Sequence, residues 1–291
     1  MIRKHGTPSS VVSALNIAPA DRNRVLAEAR VRRKEAEFLA SKRCARCWFS
    51  TTNGSCCCIC SRLPALRFTT NTRFIIYQHN IELFNCGDDA KLLLCAAEDR
   101  TGLYVYGKEG DEERMVDEVF KNGGLERTLL LFPDDRALTV EGVREGYVEK
   151  YCRSTAIDGF SAIERGMSEV ALHENGFVKE PLQIMVVDGT WRQVKAMVKE
   201  LDRMIEKNFP SLPPLTHVKL LPDTLSVYAR TQSQQDRICT IEALALFLKE
   251  CGEADFVTNE LIQYVKINNE NLRPNKKEKG RNTVAANLKP G

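Results

Sequence analysis

The chain has 291 residues, 43% of them hydrophobic and 28% charged, with a formal net charge of +3. That length holds one large domain or two small ones with a full apolar core. No apolar run reaches the roughly 20 residues needed to cross a bilayer, and Val11 to Ala20 is too polar for a secretory signal, so an intracellular, cytoplasmic protein is expected, with nuclear or organellar placement left open.

Residues 1–20 read as disordered. From Asp21 to Lys42, after Pro19, good helix formers carry a broken apolar stripe of Val25, Leu26, Ala29, Val31 and Phe38, which predicts a basic, partly exposed helix. A cysteine-rich knuckle then runs to about Pro64, closing an N-terminal module over residues 21–64. Phe74 to Tyr77 predicts a strand ending in Gln78-His79, Asp88 to Arg100 a helix, and Leu103 to Tyr106 a strand stopped by Gly107. Asp111 to Lys121 predicts a helix stopped at Gly123, and Thr128 to Phe132 a strand closed by Pro133.

Residues 134–180 carry no clear period. Leu182 to Val187 is a solid apolar strand, and the next helix places Val194, Met197, Val198, Leu201 and Ile205 at intervals of three and four. Strands follow at His217–Leu221 and Ser226–Arg230, then a helix from Thr240 stopped by Gly252, then a helix from Glu253 to Lys266. Apolar strands alternating with helices predict an α/β fold with a mainly parallel sheet flanked by helices, forming one domain over 65–266. Residues 267–291 are expected to be a basic flexible tail. The two ends, 1–43 and 273–291, carry +6 and +5, leaving −8 on the body. Basic arms on an acidic body suit a polyanionic partner, or are solubilising tails.

Six of the eleven cysteines lie within residues 44–60. Cys44-x-x-Cys47 and Cys58-x-Cys60 have the paired spacing of a tetrahedral zinc site, with Cys56 as an alternative to Cys58. Four protein thiolates leave no open position, so this zinc would be structural. A redox dithiol and buried free thiols are the other readings. Arg46 and Trp48 sit in the knuckle and suit RNA contact, though Trp48 equally suits loop packing.

Asp188-Gly189-Thr190-Trp191 lies where the buried strand becomes a helix, a place where α/β proteins bind ligands. Thr190 is placed as the helix N-cap, a role Asp188 also suits, and Trp191 as core or as a stacking surface. Spacing alone does not decide between capping and chemistry.

The ordered motifs do. The chain resembles the DTW-domain family through Asp188-Gly189-Thr190-Trp191, the cysteine module Cys44, Cys47, Cys58 and Cys60, the stretch Gln78, His79 and Glu82, the strand Leu129 to Pro133, and Arg230 followed by Cys239-Thr240-Ile241-Glu242-Ala243. The resemblance covers roughly residues 43 to 252. It implies a tRNA-uridine aminocarboxypropyltransferase: the 3-amino-3-carboxypropyl arm of S-adenosylmethionine passes to N3 of a uridine in tRNA and methylthioadenosine leaves. It also implies a SPOUT-like, knotted fold.

Under it, Asp188 is the candidate base, Thr190 shapes the loop and Trp191 stacks or packs. The fold relationship puts Leu131, Phe132, Pro133, Tyr228, Ala229, Arg230 and Thr240 near the cofactor. His79 and Glu82 line the site or bind RNA, unless His79 is structural. Asp88 and Asp89 stand where relatives usually carry Thr and a Gly or Arg, an unfavourable pair of acids beside RNA. The competing readings are a zinc-containing RNA-binding protein without catalysis and a SPOUT-type RNA methyltransferase.

Overall fold

The structure is a computed structural model and describes residues 19–52, 57–143, 181–220 and 239–272. Among these residues its centre is a six-stranded, wholly parallel sheet in the order β2-β1-β5-β3-β6-β4. The strands are β1 (Thr72–His79), β2 (Thr101–Tyr106), β3 (Thr128–Leu131), β4 (Leu138–Thr139), β5 (Leu182–Asp188) and β6 (Thr216–Lys219). The helices are α1 (Pro19–Ala40), α2 (Leu92–Ala96), α3 (Asp111–Met115), α4 (Val140–Val143), α5 (Trp191–Asn208), α6 (Thr240–Glu250) and α7 (Asp255–Leu272).

Both faces of the sheet are covered, which explains why β1, β3 and β5 read as continuous apolar runs rather than alternating ones. Side chains still divide with a period of two. Phe74, Ile76, Leu129, Ile184 and Val186 join a core with α2, α6, α7 and the cysteine knuckle. Ile75, Tyr77, Leu130, Met185 and Val187 join a second core with α3 and α5.

Three helices differ from expectation, each for a local reason. The expected helix over 88–100 is only α2 plus a single turn at Glu98–Arg100. The Asp88 carboxylate takes the Ala90 N–H, an Asx-type bond that competes with helix formation. The helix expected from Asp111 to Lys121 is α-helical through Met115 and then widens to a π turn at Val116–Phe120. The final helix reaches Leu272, so residues 267–272 belong to the folded body rather than to a tail. They are held there by burial of Ile267, by the Asn271 side chain donating to the Cys57 carbonyl at 2.9 Å, and by an Arg62–Glu270 ion pair at 2.7 Å. Part of the unpatterned region forms β4 and α4; residues 144–180, and the strand expected over 226–230, lie outside the described residues.

Gly124 closes the turn after the π segment. A β-carbon there would sit 1.8 Å from the Val119 carbonyl oxygen, and backbone cannot yield as a flexible side chain would. The Gly124 carbonyl also accepts from Thr128 Oγ1 at 2.7 Å. Gly124→Ala is therefore expected to lower unfolding stability by about 3 kcal/mol, measured as a shifted urea midpoint at unchanged slope.

Candidate functional site

β1 leads to β2 on one side of the sheet, while β5, seated beside β1, leads to β6 on the other. The carboxyl ends of β1 and β5 therefore form the crevice where such sheets take ligands. Gln78 pairs in register with Asp188, and His79 with Tyr106 at the end of β2.

Asp188 ends β5 and is 8% exposed. Its Oδ2 lies 3.4 Å from Gln78 Nε2, and its Oδ1 accepts from Thr240 Oγ1 at 3.4 Å. Carboxylate oxygens of Asp88, Asp89 and Asp188 all lie within 4.8 Å of one another. Asp88 and Asp89 are themselves 1% and 5% exposed. Asp89 accepts the Ile241 N–H at the start of α6 at 2.9 Å, and Gln78 Nε2 donates to Asp88. Burial first, and then the neighbouring Asp89 charge, push Asp188 up to about 7, against hydrogen bonds from Asp88 and Gln78 that favour its anion. Asp88 is driven well above the usual carboxylate range by burial and by Asp188 and Asp89.

The turn after Asp188 is built by its own sequence. Thr190 is the N-cap of α5, and Gln193 reaches back so that its Oε1 accepts from the Thr190 N–H at 2.6 Å and from Thr190 Oγ1 at 2.8 Å. Thr190 is thus exposed architecture, as its cap position predicts. Trp191 is half-buried and tilts against Phe132, ring centroids 6.1 Å apart, so it ties the start of α5 to the loop after β3. Phe132 is buried, Leu131 half-buried and Pro133 exposed.

His79 packs its ring on Tyr106 with centroids 5.6 Å apart, and its Nδ1 accepts the Ile81 N–H at 3.2 Å. Burial first and the Arg30 charge second pull it down to about 4, so at neutral pH it is an uncharged ring with Nε2–H free to donate. A β-carbon on Gly189 would lie 3.2 Å from His79 Cβ, which places this histidine beside the Asp188 turn. Glu82 accepts from Asn85 Nδ2 at 2.9 Å.

The knuckle is a second site. Bridges Arg43–Ser50 and Ser50–Cys57 fold its loops together. The Sγ atoms of Cys44, Cys47, Cys58 and Cys60 all lie within 4.8 Å, with Cys44–Cys60 at 3.7 Å and Cys47–Cys58 at 3.5 Å. Tetrahedral zinc with bonds of about 2.3 Å needs sulfurs about 3.8 Å apart, so the donor set and spacing fit a metal ion. Cys58 occupies the third position; Cys56 lies outside the described residues. Trp48 is 1% exposed and meets Phe84 edge-on at 5.6 Å, so it packs the loop and has no face for a base. Arg46 donates to the Cys95 carbonyl at 2.7 Å and pairs with Glu98 at 3.2 Å, tying the knuckle to α2 and the turn after it.

The structure thus brings Asp188, Thr240, His79, Trp191 and Phe132 to one end of the sheet. Tyr228, Ala229 and Arg230 lie outside the described residues. Sequence reasoning missed Asp88, Asp89 and Tyr106 as neighbours of the site. The two acids were legible only as a departure, because nothing local says that they turn inward; Tyr106 ends a strand whose pairing with β1 the sequence does not display.

Among the described residues no helix is long and apolar enough to cross a membrane. No curated protein and no solved structure matches the chain. The model of the DTW domain matches residues 41–273, taking in the four cysteines, Gln78-His79, Asp188 and Thr240. With most of its length matched, the chain belongs to the DTW-domain family, whose role is tRNA modification.

Proposed function

We propose that the protein transfers the 3-amino-3-carboxypropyl group of S-adenosylmethionine to N3 of a uridine in tRNA, releasing methylthioadenosine. The observation that carries this reading is the buried Asp188 carboxylate at the sheet's carboxyl edge, raised to about 7 by its surroundings. Uracil N3–H is a weak acid, and an ordinary carboxylate near 3.9 is a poor base for it. Asp188 takes the N3 proton, N3 attacks the carbon next to the sulfonium, and the C–S bond breaks with its electron pair leaving on sulfur. The sulfonium already activates that carbon, so positioning supplies much of the remaining rate.

Leu131 at the end of β3, Phe132 and Pro133 after it, Thr240 at α6, and Tyr228, Ala229 and Arg230 hold the cofactor. His79 presents its Nε2–H, and with Glu82 and Arg46 contacts the RNA. The four cysteines hold a structural zinc ion, filled by protein on all sides. The fold is SPOUT-like and knotted, a reading supported by β5, which returns to the sheet centre between β1 and β3 after β4 has been laid at the edge.

Intact Asp188 with its partners favours catalysis over RNA binding alone. The test is a double-label reaction with undermodified tRNA. Label in the carboxyl carbon of S-adenosylmethionine is expected in RNA, and label in its methyl group in methylthioadenosine. Methyl label in RNA would establish a methyltransferase instead, and binding without either label a non-catalytic protein.

A further inference from the structure

Three buried carboxylates within 4.8 Å cannot all be ionised in a low-dielectric interior. Each has a different set of partners. Asp89 accepts the Ile241 N–H at the amino end of α6, where unpaired N–H groups and the helix dipole favour a negative charge. Asp88 gives one oxygen to the Ala90 N–H and the other to Gln78 Nε2, with no cation bonded to it among the described residues. Lys91, the nearest buried ammonium, instead donates to the Cys86 carbonyl and sits 4.4 Å above the Phe49 ring. Gln78 is fully buried, and its one amide nitrogen faces both Asp88 and Asp188 while its Oε1 has no partner among the described residues. A single donor shared by two carboxylates leaves that pair short of hydrogen, which a shared proton supplies. The remaining groups facing the cluster are Glu82 beyond β1 and Cys239 and Glu242 at α6; the glutamates add negative charge.

We propose that Asp89 is a positioning residue that sets the basicity of Asp188: its charge, anchored on the start of α6, keeps Asp188 a strong base while Asp88 keeps the cluster's proton. This rests on the reading of Asp188 as the base, and it gives a use to the two acids that depart from the family pattern. In the reaction, the N3 proton moves to Asp188 and the Asp88 proton stays within the pair, so one proton enters the cluster per turnover and leaves to solvent afterwards.

The test is a titration of the full-length protein carrying carboxyl-13C aspartate, with the Asp188 resonance identified by its loss in Asp188→Asn. Wild type is expected to show Asp188 titrating near 7. Asp89→Asn keeps an oxygen for the Ile241 N–H but removes the charge, and is expected to lower that midpoint by about one pH unit. The acid limb of kcat/KM should move down equally, with the plateau falling about threefold. A wild-type Asp188 titrating in the ordinary carboxylate range overturns the proposal. So does an unmoved midpoint in a folded Asp89→Asn, or a midpoint that shifts on adding magnesium chloride, which would make the cluster a cation site. A midpoint that moves in a protein with no transfer to uridine leaves the tuning standing and defeats the functional reading instead.

Discussion

Asp188→Asn is expected to abolish transfer, by about 10³-fold or more, and to make the protein more stable at pH 8. The loss follows from removing the group proposed to take the N3 proton, an effect of about 10²–10⁴ for general bases. The gain follows from linkage. Asp188 is raised from 3.8 to about 7 in the folded chain, chiefly by burial. A carboxyl raised on folding binds more protons in the native state than in the unfolded one between those values. Its contribution is therefore most favourable below about 4 and is lost as pH rises through 7. Asparagine keeps the shape and an oxygen for the Thr240 hydroxyl but carries no charge, so unfolding free energy at pH 8 should rise by on the order of 1–2 kcal/mol. A residue with only a capping or packing role would lose stability when altered, so opposite signs in activity and denaturant midpoint separate the two roles. S-Adenosylmethionine affinity should stay within a few fold. Near-normal turnover by this variant would remove Asp188 from the mechanism.

Removal of a metal ion held by the four knuckle cysteines is expected to be the second large effect. The four sulfurs bring the two arms of the loop together beside the bridges Arg43–Ser50 and Ser50–Cys57. Phe49 and Ile59 project from it into the main core, at 1% and 0% exposed. Phe49 lies under Lys91, three residues from Asp88 in the carboxylate cluster. Loss of the ion should release Phe49, loosen Lys91 and expose core surface. Cys60→Ser, or prolonged chelation, is expected to lower Tm by about 10 °C and to cut transfer, measured by differential scanning calorimetry and by activity after dialysis. Zinc at one equivalent should be found by elemental analysis of the untreated protein. A fully reduced, metal-free chain with unchanged Tm would favour the buried-thiol reading of these cysteines.

The parallel sheet was legible because β1, β3 and β5 are buried on both faces and have to be apolar throughout. The strand order was not, since register between β1 and β5 is set by contacts some 110 residues apart that leave no local period. The cysteine spacing picked out four sulfurs that the fold brings within 4.8 Å of one another, because C-x-x-C and C-x-C loops are short enough to dictate geometry. Trp48 was open between RNA contact and loop packing, since its backbone conformation is not legible locally; at φ 59° it meets Phe84 edge-on and is buried. Asp88-Asp89 read as an unfavourable pair of acids beside RNA. Their meaning depends on α6, whose Ile241 N–H meets Asp89 from 152 residues away. Thr190 was the easiest part of the site to read, because an N-cap is encoded locally; Gln193, whose side chain completes the capping box, was not singled out.

The central claim is the identity of the group moved, and weighing the product nucleoside tests it most directly. Undermodified tRNA incubated with the protein and S-adenosylmethionine, then digested to nucleosides, should yield a uridine heavier by one aminocarboxypropyl group in the wild-type reaction and none with Asp188→Asn. A uridine heavier by a methyl group, or unmodified uridine despite tight tRNA binding, would contradict the account.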